Sequence, residues 1–362
     1  MSGDGVNPPP RVTAVVLAYL DEPWIEACVQ SILASDGVCA DVVVVDNGST
    51  TGAVERLVGL DRVAIVQPGR NLGFAGGCNA GAAEATGAYL ALINGDAVVQ
   101  PSTLVRLAAA AANPDVGIAS GSIRLASTPA LLNSAGNPLH FLGLVWAGNF
   151  GAAASDHPTA RDVATASGAG MVMRRELWEQ LGGFAAEYFA YHEDAELSWR
   201  CRLRGLRIVY VPDAVVCHRY AFSRNKRKFY LLERNRLVFV LTLYERRTLL
   251  LICPALAAFE ITMWVVALRQ GWGREKATGW WWLCTHRSWL RRRRALLQAE
   301  RTIGDHELAY LLTGRFEPAN LALPRGVGVV NAVLDGYWAT VRRMLRPRRA
   351  RYRASGSHDA AS

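Results

Sequence analysis

The stretch Val42-Val43-Val44-Val45-Asp46-Asn47-Gly48-Ser49-Thr50 decides the fold, because four β-branched residues in a row run straight into an acidic, glycine-containing turn. An unbroken apolar run of that length, closed by turn residues, reads as a strand buried on both faces. Similar runs occur at Val12–Tyr19, Ala64–Val66, Tyr89–Ile93 and Ile208–Val211. Helical patterns fall between them, at Glu22–Ala34, Ala75–Ala85, Ser102–Ala112 and Asp194–Arg204. This alternation predicts an open, mostly parallel α/β sheet with helices on its faces. Such sheets bind ligands beyond the carboxyl ends of their strands, so the residues just after strands are the candidates for chemistry.

Asp46 follows one strand and can accept hydrogen bonds from a nucleobase or ribose; it can equally close an Asx turn. Asp96 follows another, in Ile93-Asn94-Gly95-Asp96. A carboxylate there can hold Mg²⁺ or Mn²⁺ against a diphosphate, since these ions take hard oxygen ligands. The run Asn71-Leu72-Gly73-Phe74-Ala75-Gly76-Gly77-Cys78-Asn79-Ala80-Gly81 fits neither a dinucleotide fingerprint nor a P-loop. Its glycines serve either close approach to a ligand or close helix packing. His192-Glu193-Asp194 opens a helix, where the macrodipole favours ionised carboxylates and one of them can act as general base. Glu196 and Arg200 are spaced as an ion pair on the helix surface. His218 can add one nitrogen to a nearby cation.

Charge divides the chain. Up to His218 there are 13 Lys/Arg against 21 Asp/Glu, and from Arg219 onward 27 against 10. A basic tail of this kind seeks an anionic partner. Thr248–Leu268 is long enough to cross a bilayer, but Pro254 and Glu260 interrupt it. Trp280-Trp281-Trp282, Trp289 and Arg291-Arg292-Arg293-Arg294 have the composition of helices lying in a membrane interface. The arginines alternate with apolar stretches, which favours a membrane over nucleic acid. Seven scattered cysteines without a CxxC pair suit reduced thiols rather than a disulfide frame or zinc site. The apolar run at Val12–Leu20 is too short for a span, and it lacks the basic and cleavage segments of a signal peptide.

Taken in order, Val15-Val16-Leu17-Ala18-Tyr19, Val45-Asp46-Asn47-Gly48-Ser49, Asn71 to Asn79, Asn94-Gly95-Asp96, Ser167-Gly168-Ala169-Gly170-Met171, Gly182-Gly183-Phe184, Glu193-Asp194 and Glu233-Arg234-Asn235-Arg236 resemble the family 2 glycosyltransferases, in particular their bacterial rhamnosyltransferase-like branch. The resemblance covers roughly residues 11 to 240. It implies a GT-A, Rossmann-like αβα sandwich at 11–240, after a disordered 1–10. A helical, basic, membrane-associating region at 241–348 and a disordered tail at 349–362 are expected to come after it.

The resemblance also implies roles. Tyr19 and Asp46 contact the nucleoside, and Asn71, Gly73 and Asn79 line the donor pocket. Asp96 holds the metal-diphosphate, with His218 as a second metal contact. Gly168, Ala169 and Glu193 border the acceptor, and Asp194 is the base of an inverting displacement. Asn94-Gly95-Asp96 departs from the usual motif, which has two acidic positions or Asn-Pro-Asp. The implied partners are a nucleotide-sugar donor, a glycan or polyprenyl-diphosphate-linked acceptor, and the cytoplasmic face of the cell membrane. Three rival readings are weaker. A sugar nucleotidyltransferase needs a Gly-rich basic loop after the first strand, where this chain has Ala18-Tyr19-Leu20-Asp21-Glu22. A nucleic-acid binder needs polar residues between its basic ones. A dead scaffold has no use for Asp46, Asp96 and Asp194 together.

Overall fold

The computed structural model describes residues 8–219, 226–319 and 326–346. The disorder expected at 1–10 and 349–362 therefore falls outside the described residues, apart from 8–10, which form no regular element.

The elements in the first part of the chain are β1 (Arg11–Leu20), α1 (Ile25–Leu33), β2 (Cys39–Ser49), β3 (Val63–Val66), α2 (Gly73–Ala83), β4 (Tyr89–Asn94), β5 (Ala97–Val99), α3 (Thr103–Ala111), β6 (Val116–Leu125) and β7 (Thr128–Ser134). After them come β8 (Leu139–His140), β9 (Arg161–Asp162), β10 (Gly170–Arg174), α4 (Arg175–Leu181), α5 (Glu193–Leu203) and β11 (Arg207–His218). Among the described residues one sheet runs β3-β2-β1-β4-β10-β6-β11-β5, with β7 beside β6 and β9 beside β11. The pairs β1–β2, β1–β4, β2–β3 and β6–β11 are parallel, and β10 runs antiparallel to both β4 and β6.

The apolar strands explain the layering. Along β1, Val12, Ala14, Val16 and Ala18 face the core shared with Ile25, Val29 and Leu104 of α1 and α3. Val15 and Leu17 face the opposite core, shared with Ala75 and Cys78 of α2 and Leu197 of α5. Each face buries its own set, so every residue of the strand must be apolar or small. Helix α2 sits very close to the sheet: a Cβ on Gly77 would meet Leu17 Cδ2 at 2.6 Å, and one on Gly81 would meet Val15 Cγ1 at 2.5 Å. These two glycines thus serve packing.

Two sequence expectations are corrected. The strand expected at Ile208–Val211 does not end there; β11 continues through Pro212 and Asp213 to His218, and its register on β6 shifts between Val211 and Val215, as at a bulge. The Glu196–Arg200 pair is not on the surface. Its side chains are 1% and 3% exposed, and Arg200 also donates to the carbonyls of Leu181 and Gly183 at 2.5 Å each. Helical spacing identifies the pair but says nothing about what packs over it.

The rest of the chain is mostly helical: α6 (Lys226–Leu243), α7 (Arg246–Arg269), α8 (Gly273–Thr285), α9 (Arg287–Glu300), α10 (Asp305–Leu308), β12 (Leu312–Thr313, paired with β8) and α11 (Val327–Leu345). These helices pack against α5, where Ala195, Trp199 and Leu203 share a core with Phe239, Val240, Leu243, Leu308 and Trp338. A buried ionic network ties α6, α7 and α8 together. Lys276 Nζ reaches Glu233 at 2.7 Å and Glu260 at 2.9 Å, and Arg236 pairs with the same two carboxylates. Glu260, the charge that interrupts the apolar run of α7, therefore faces protein.

Candidate active site

Because β1, β2 and β4 are parallel, their carboxyl ends lie at one edge, with Ala18 opposite Asp46 and Leu17 opposite Asn94. A pocket of about 460 Å³ opens there. Leu17, Tyr19 and Glu22 come from β1 and the turn after it, and Asn47 from the end of β2. Asn71, Gly73 and Phe74 come from the start of α2, and Asn94, Gly95 and Asp96 from the end of β4 and its turn. Phe189, Ala190 and Tyr191 form another wall, and Arg227, Lys228 and Leu231 close it from α6.

Asn47 organises the first wall. Its amide donates to the Gly73 carbonyl at 3.0 Å and its oxygen accepts from the Leu72 amide at 2.7 Å. Gly73 has φ +72°, and a Cβ there would lie 2.3 Å from the Phe189 carbonyl, so only glycine fits. Asn71 caps the same turn, accepting from the Gly73 amide at 2.7 Å. Asp46 lies at the strand end but its Oδ1 accepts from the amides of Gly48 and Ser49, closing its own loop. Asn79 lies outside the pocket lining and clamps both backbone groups of Phe184 at 2.9 Å.

Asp96 and His218 meet as the sequence suggested. His218 Nδ1 donates to Asn133 Oδ1 at 3.1 Å, which turns Nε2 toward Asp96 Oδ1, 3.1 Å away. Asn94 Nδ2 stands 3.2 Å from the same Nε2. Two electron-pair donors this close require a positive charge between them, either a proton or a metal cation. A carboxylate oxygen and an imidazole nitrogen converging on one point fit Mn²⁺ or Mg²⁺. Among the described residues no third His, Cys, Asp or Glu joins them as a ligand cluster. The remaining positions would fall to water and to ligand oxygens, as is usual for Mg²⁺. Glu22 borders this wall, and burial, then Asp96, then Asp21 push its pKa up to about 7. The residues that α6 adds to the lining are cationic: the Arg227 guanidinium stands 4.9 Å from the Phe189 ring centre, and Lys228 Nζ 5.2 Å from that of Tyr191.

Asp194 is not among the residues that line the pocket; it lies beside Gly168, which in turn abuts the lining residue Phe74. Its Oδ2 accepts from the Gly168 amide at 3.0 Å and its Oδ1 from the Ala195 amide at 2.7 Å. Gly168 in turn leaves room for the Phe74 ring, which a Cβ would meet at 3.3 Å. Ala169 borders β4, its carbonyl accepting from the Asn94 amide at 3.3 Å. Burial raises the Asp194 pKa, against the two backbone donors that hold the anion. Glu193 is buried deeper, its pKa pushed well up by burial and then by Asp194, and its Oε2 has no hydrogen-bond partner among the described residues. Of the two carboxyls, Asp194 is the one supplied with donors. The expectation that a helix start alone would favour ionisation thus meets a larger opposing cost of burial.

The segment leading to this pair is strained. Phe189, Tyr191 and His192 have φ of 62°, 69° and 71°, a region that side-chain-bearing residues rarely adopt. Asn235 on α6 holds it, donating to the carbonyls of Tyr188, Ala190 and Tyr191 at 2.9, 2.9 and 2.6 Å. Arg234 adds bonds to the carbonyls of Glu187 and Tyr188. Sequence reading singled out Glu233-Arg234-Asn235-Arg236 without assigning it a role. It likewise gave none to Asn47, Glu22, Arg227 or Lys228, although Glu22 and the Asn47 turn follow strands and were open to the same argument.

A mostly parallel sheet with a strand-end pocket lined by both acidic and cationic residues is that of an α/β protein built to hold a charged ligand. Residues 9–239 match the family described as "Glycosyltransferase like family 2". The chain belongs to that family, whose members are inverting hexosyltransferases. It is similar to the N-acetylglucosaminyl-diphospho-decaprenol L-rhamnosyltransferase of Mycobacterium tuberculosis, at 29% identity over 59% of this chain and 77% of that one. It is also similar to the succinoglycan biosynthesis protein ExoO of Rhizobium meliloti, at 38% identity over 28% of this chain and 31% of the relative. The match thus spans less than a third of the latter protein. Among solved structures, GalNAc-T7 with UDP, GalNAc and Mn²⁺ has a TM-score of 0.56 at 15% identity, over 66% of this chain and 48% of that one. This likeness bears on the fold, which is GT-A.

Proposed function

We propose that this enzyme transfers a sugar, with inversion, from a nucleoside-diphosphate donor to a hydroxyl of a cell-envelope glycan or a polyprenyl-diphosphate-linked acceptor. The donor we favour is dTDP-L-rhamnose, then a UDP-sugar, and the similarity to the mycobacterial rhamnosyltransferase supports that order. The observation that carries the reading is the pocket itself. Asp96, with His218 behind it at 3.1 Å, and the cations Arg227 and Lys228 border the same cleft, a set of charges suited to a metal-bound diphosphate.

Asp96 and His218 would hold the divalent cation, whose charge stabilises the departing diphosphate. The family and the Mn²⁺ in GalNAc-T7 support this assignment. Tyr19, Asn71 and Gly73 border the nucleoside, with Asp46 and Asn79 shaping the loops behind them. Asp194 takes the proton from the acceptor hydroxyl as that oxygen attacks the anomeric carbon. The bond from that carbon to the diphosphate breaks on the opposite side. Gly168 and Ala169 set the floor for the acceptor, and Glu193 stays protonated beside the base.

Residues 11–240 form the catalytic unit in this reading, and 241–348 associate with the cytoplasmic face of the membrane. Helix α7 is long and apolar enough to cross a bilayer, with 17% of its most apolar window buried. The ionic network at Glu260 favours a helix lying in the interface over one that spans. The test is a panel of nucleotide sugars offered to purified protein with Mn²⁺, reading nucleoside diphosphate release. Release from dTDP-rhamnose above all others supports the assignment; release from none of the panel sinks it.

A further inference from the structure

A second cleft, of about 500 Å³, lies where the C-terminal end of α6 meets α7 and α9. It is lined by Glu245, Arg246, Arg291, Arg294, Ala295 and Gln298. Helix α6 runs between the two: Leu231, in the donor pocket, stands about 18 Å of helix before its last residue, Leu243.

The polar residues of this cleft divide into two groups. Glu245 and Gln298 are committed to the fold. Glu245 Oε2 accepts from the Asp305 amide at 3.0 Å and Oε1 faces Arg301 at 3.7 Å. Gln298 donates to the carbonyls of Thr242 and Leu243 and accepts from Arg301. The three arginines are different. Among the described residues none of them has a carboxylate within ion-pair distance, and only Arg294 is tied down, by a 2.6 Å bond to the Leu241 carbonyl. Burial, and then the neighbouring Arg246, pull the Arg294 pKa down, against the carboxylate of Asp305, which pulls it up. Arg293, between them in sequence, instead points inward to Glu196 at 2.5 Å. The basic run is therefore not a uniformly solvated face.

An apolar track begins at the same place. On α7 the exposed residues include Arg246, Leu250, Cys253, Ala257, Ile261 and Leu268. Their spacing keeps them on one side of the helix. Leu250 is 76% exposed, Ile261 67% and Leu268 68%. From Leu250 to Leu268 no charged side chain is exposed on α7, since Glu260 is turned into the protein.

We infer that the Arg246–Arg291–Arg294 cleft binds the phosphate headgroup of an anionic phospholipid, with its acyl chains lying along the α7 stripe. The inference rests on the membrane-association reading of residues 241–348 and adds a defined headgroup site to it. Three guanidinium groups outside any ion pair, beside a Glu245 carboxylate already taken by Arg301 and the Asp305 amide, match a phosphodiester in charge and hydrogen-bonding geometry. The apolar track leading away from them matches the long hydrocarbon that a lipid, unlike most soluble phosphates, carries next to its phosphodiester. A cleft between helices beside an apolar face is where anionic headgroups are held.

The test is co-sedimentation of the full chain with vesicles of phosphatidylcholine alone or with added phosphatidylglycerol. Arg246→Gln/Arg291→Gln/Arg294→Gln is compared with Arg274→Gln/Arg287→Gln/Arg292→Gln, which removes the same charge from exposed positions outside the cleft. The wild type should prefer the phosphatidylglycerol vesicles. The cleft variant should lose at least tenfold more of that binding than the control. Single Arg291→Glu, at an exposed position, gives the same comparison if the triple variant misfolds. Equal losses in both triples would overturn the cleft while leaving membrane association standing. Failure of the wild type to bind either vesicle would overturn both. Protection of the wild type, but not of the cleft variant, against heat by millimolar inorganic phosphate alone, without vesicle preference, would assign the cleft to a soluble phosphate and overturn the lipid.

Discussion

The side-chain amide of Asn235 donates to the carbonyl of Tyr191 at 2.6 Å, from a helix that begins after the last strand of the sheet. That bond and its two companions fix a loop whose next residues are the buried carboxyl pair Glu193 and Asp194. Asn235→Ala leaves three carbonyls without this donor. It should cost about 2–4 kcal/mol of stability, from the price of unsatisfied buried groups. Asn235→Asp keeps the shape and the acceptor for Arg234 but sets a carboxylate against three carbonyls, so it should be at least as damaging. Chemical denaturation checks the stability, and turnover measured well below the unfolding temperature should fall further than the folded fraction does.

Asp194→Asn should leave donor binding nearly unchanged and lower turnover by about a hundredfold or more, the usual worth of a positioned base. Glu193→Gln should retain most activity, because the protonated acid and the amide are alike in size and polarity. The comparison is made by single-turnover rates and by donor titration on the same preparations. Full turnover in Asp194→Asn would remove the assignment.

The pH profile follows from the same pair. Burial raises both carboxyl pKa values, so activity should fall on the acid side with an apparent pKa above the ordinary aspartate range. The sign for stability is opposite. A carboxyl whose folded pKa is raised favours folding most below its unfolded pKa and loses that contribution as pH rises through the folded one. The wild type should therefore lose more stability than Glu193→Gln between about pH 4 and neutrality. Thermal midpoints of the two proteins across that range decide it.

Asn133 offers a way to test the metal assignment without touching either proposed ligand. It accepts from His218 Nδ1 and so orients the ring. Removing such a partner costs about 10–100-fold in metal affinity where a metal is held. Asn133→Ala should raise the Mn²⁺ concentration needed for nucleoside diphosphate binding by that factor, read by titration calorimetry. Asp96→Ala should abolish the metal dependence. Equal binding with and without chelator in the wild type would exclude the role.

The strands β1, β2 and β4 were legible because their burial on both faces leaves unbroken apolar runs. Strand β6 was not: Gly117, Ser120, Gly121 and Ser122 give it no apolar run, although it is central in the sheet and buried over most of its length. Small residues there admit close neighbours, as Gly117 does for Cys201, a contact no local pattern announces. The strand-end argument singled out Asp96, which lines the pocket, and Asp46, whose Oδ1 closes the Asx turn that the sequence also offered. Asn79 and the Glu196–Arg200 pair show the same limit, since their partners lie 17 to 105 residues away or pack over them. Asn235 was noticed but its role was hidden for that reason too: its three acceptors lie 44 to 47 residues before it in the chain.

Glu260 has a consequence for biosynthesis. It sits near the middle of α7; one of its two cationic partners, Arg236, is made before it, and the other, Lys276, after that helix is complete. A nascent chain ending between Glu260 and Lys276 carries a long apolar helix whose carboxylate still lacks the second of its two partners. At that moment the helix could be mistaken for an insertion signal, and an acidic residue at its centre opposes insertion by about 2.5–3.5 kcal/mol. Once Lys276 emerges, the same carboxylate draws α8 against α6 and α7, and the opportunity to enter the bilayer closes. A single side chain can in this way act first as a barrier during translation and afterwards as a tie in the folded protein.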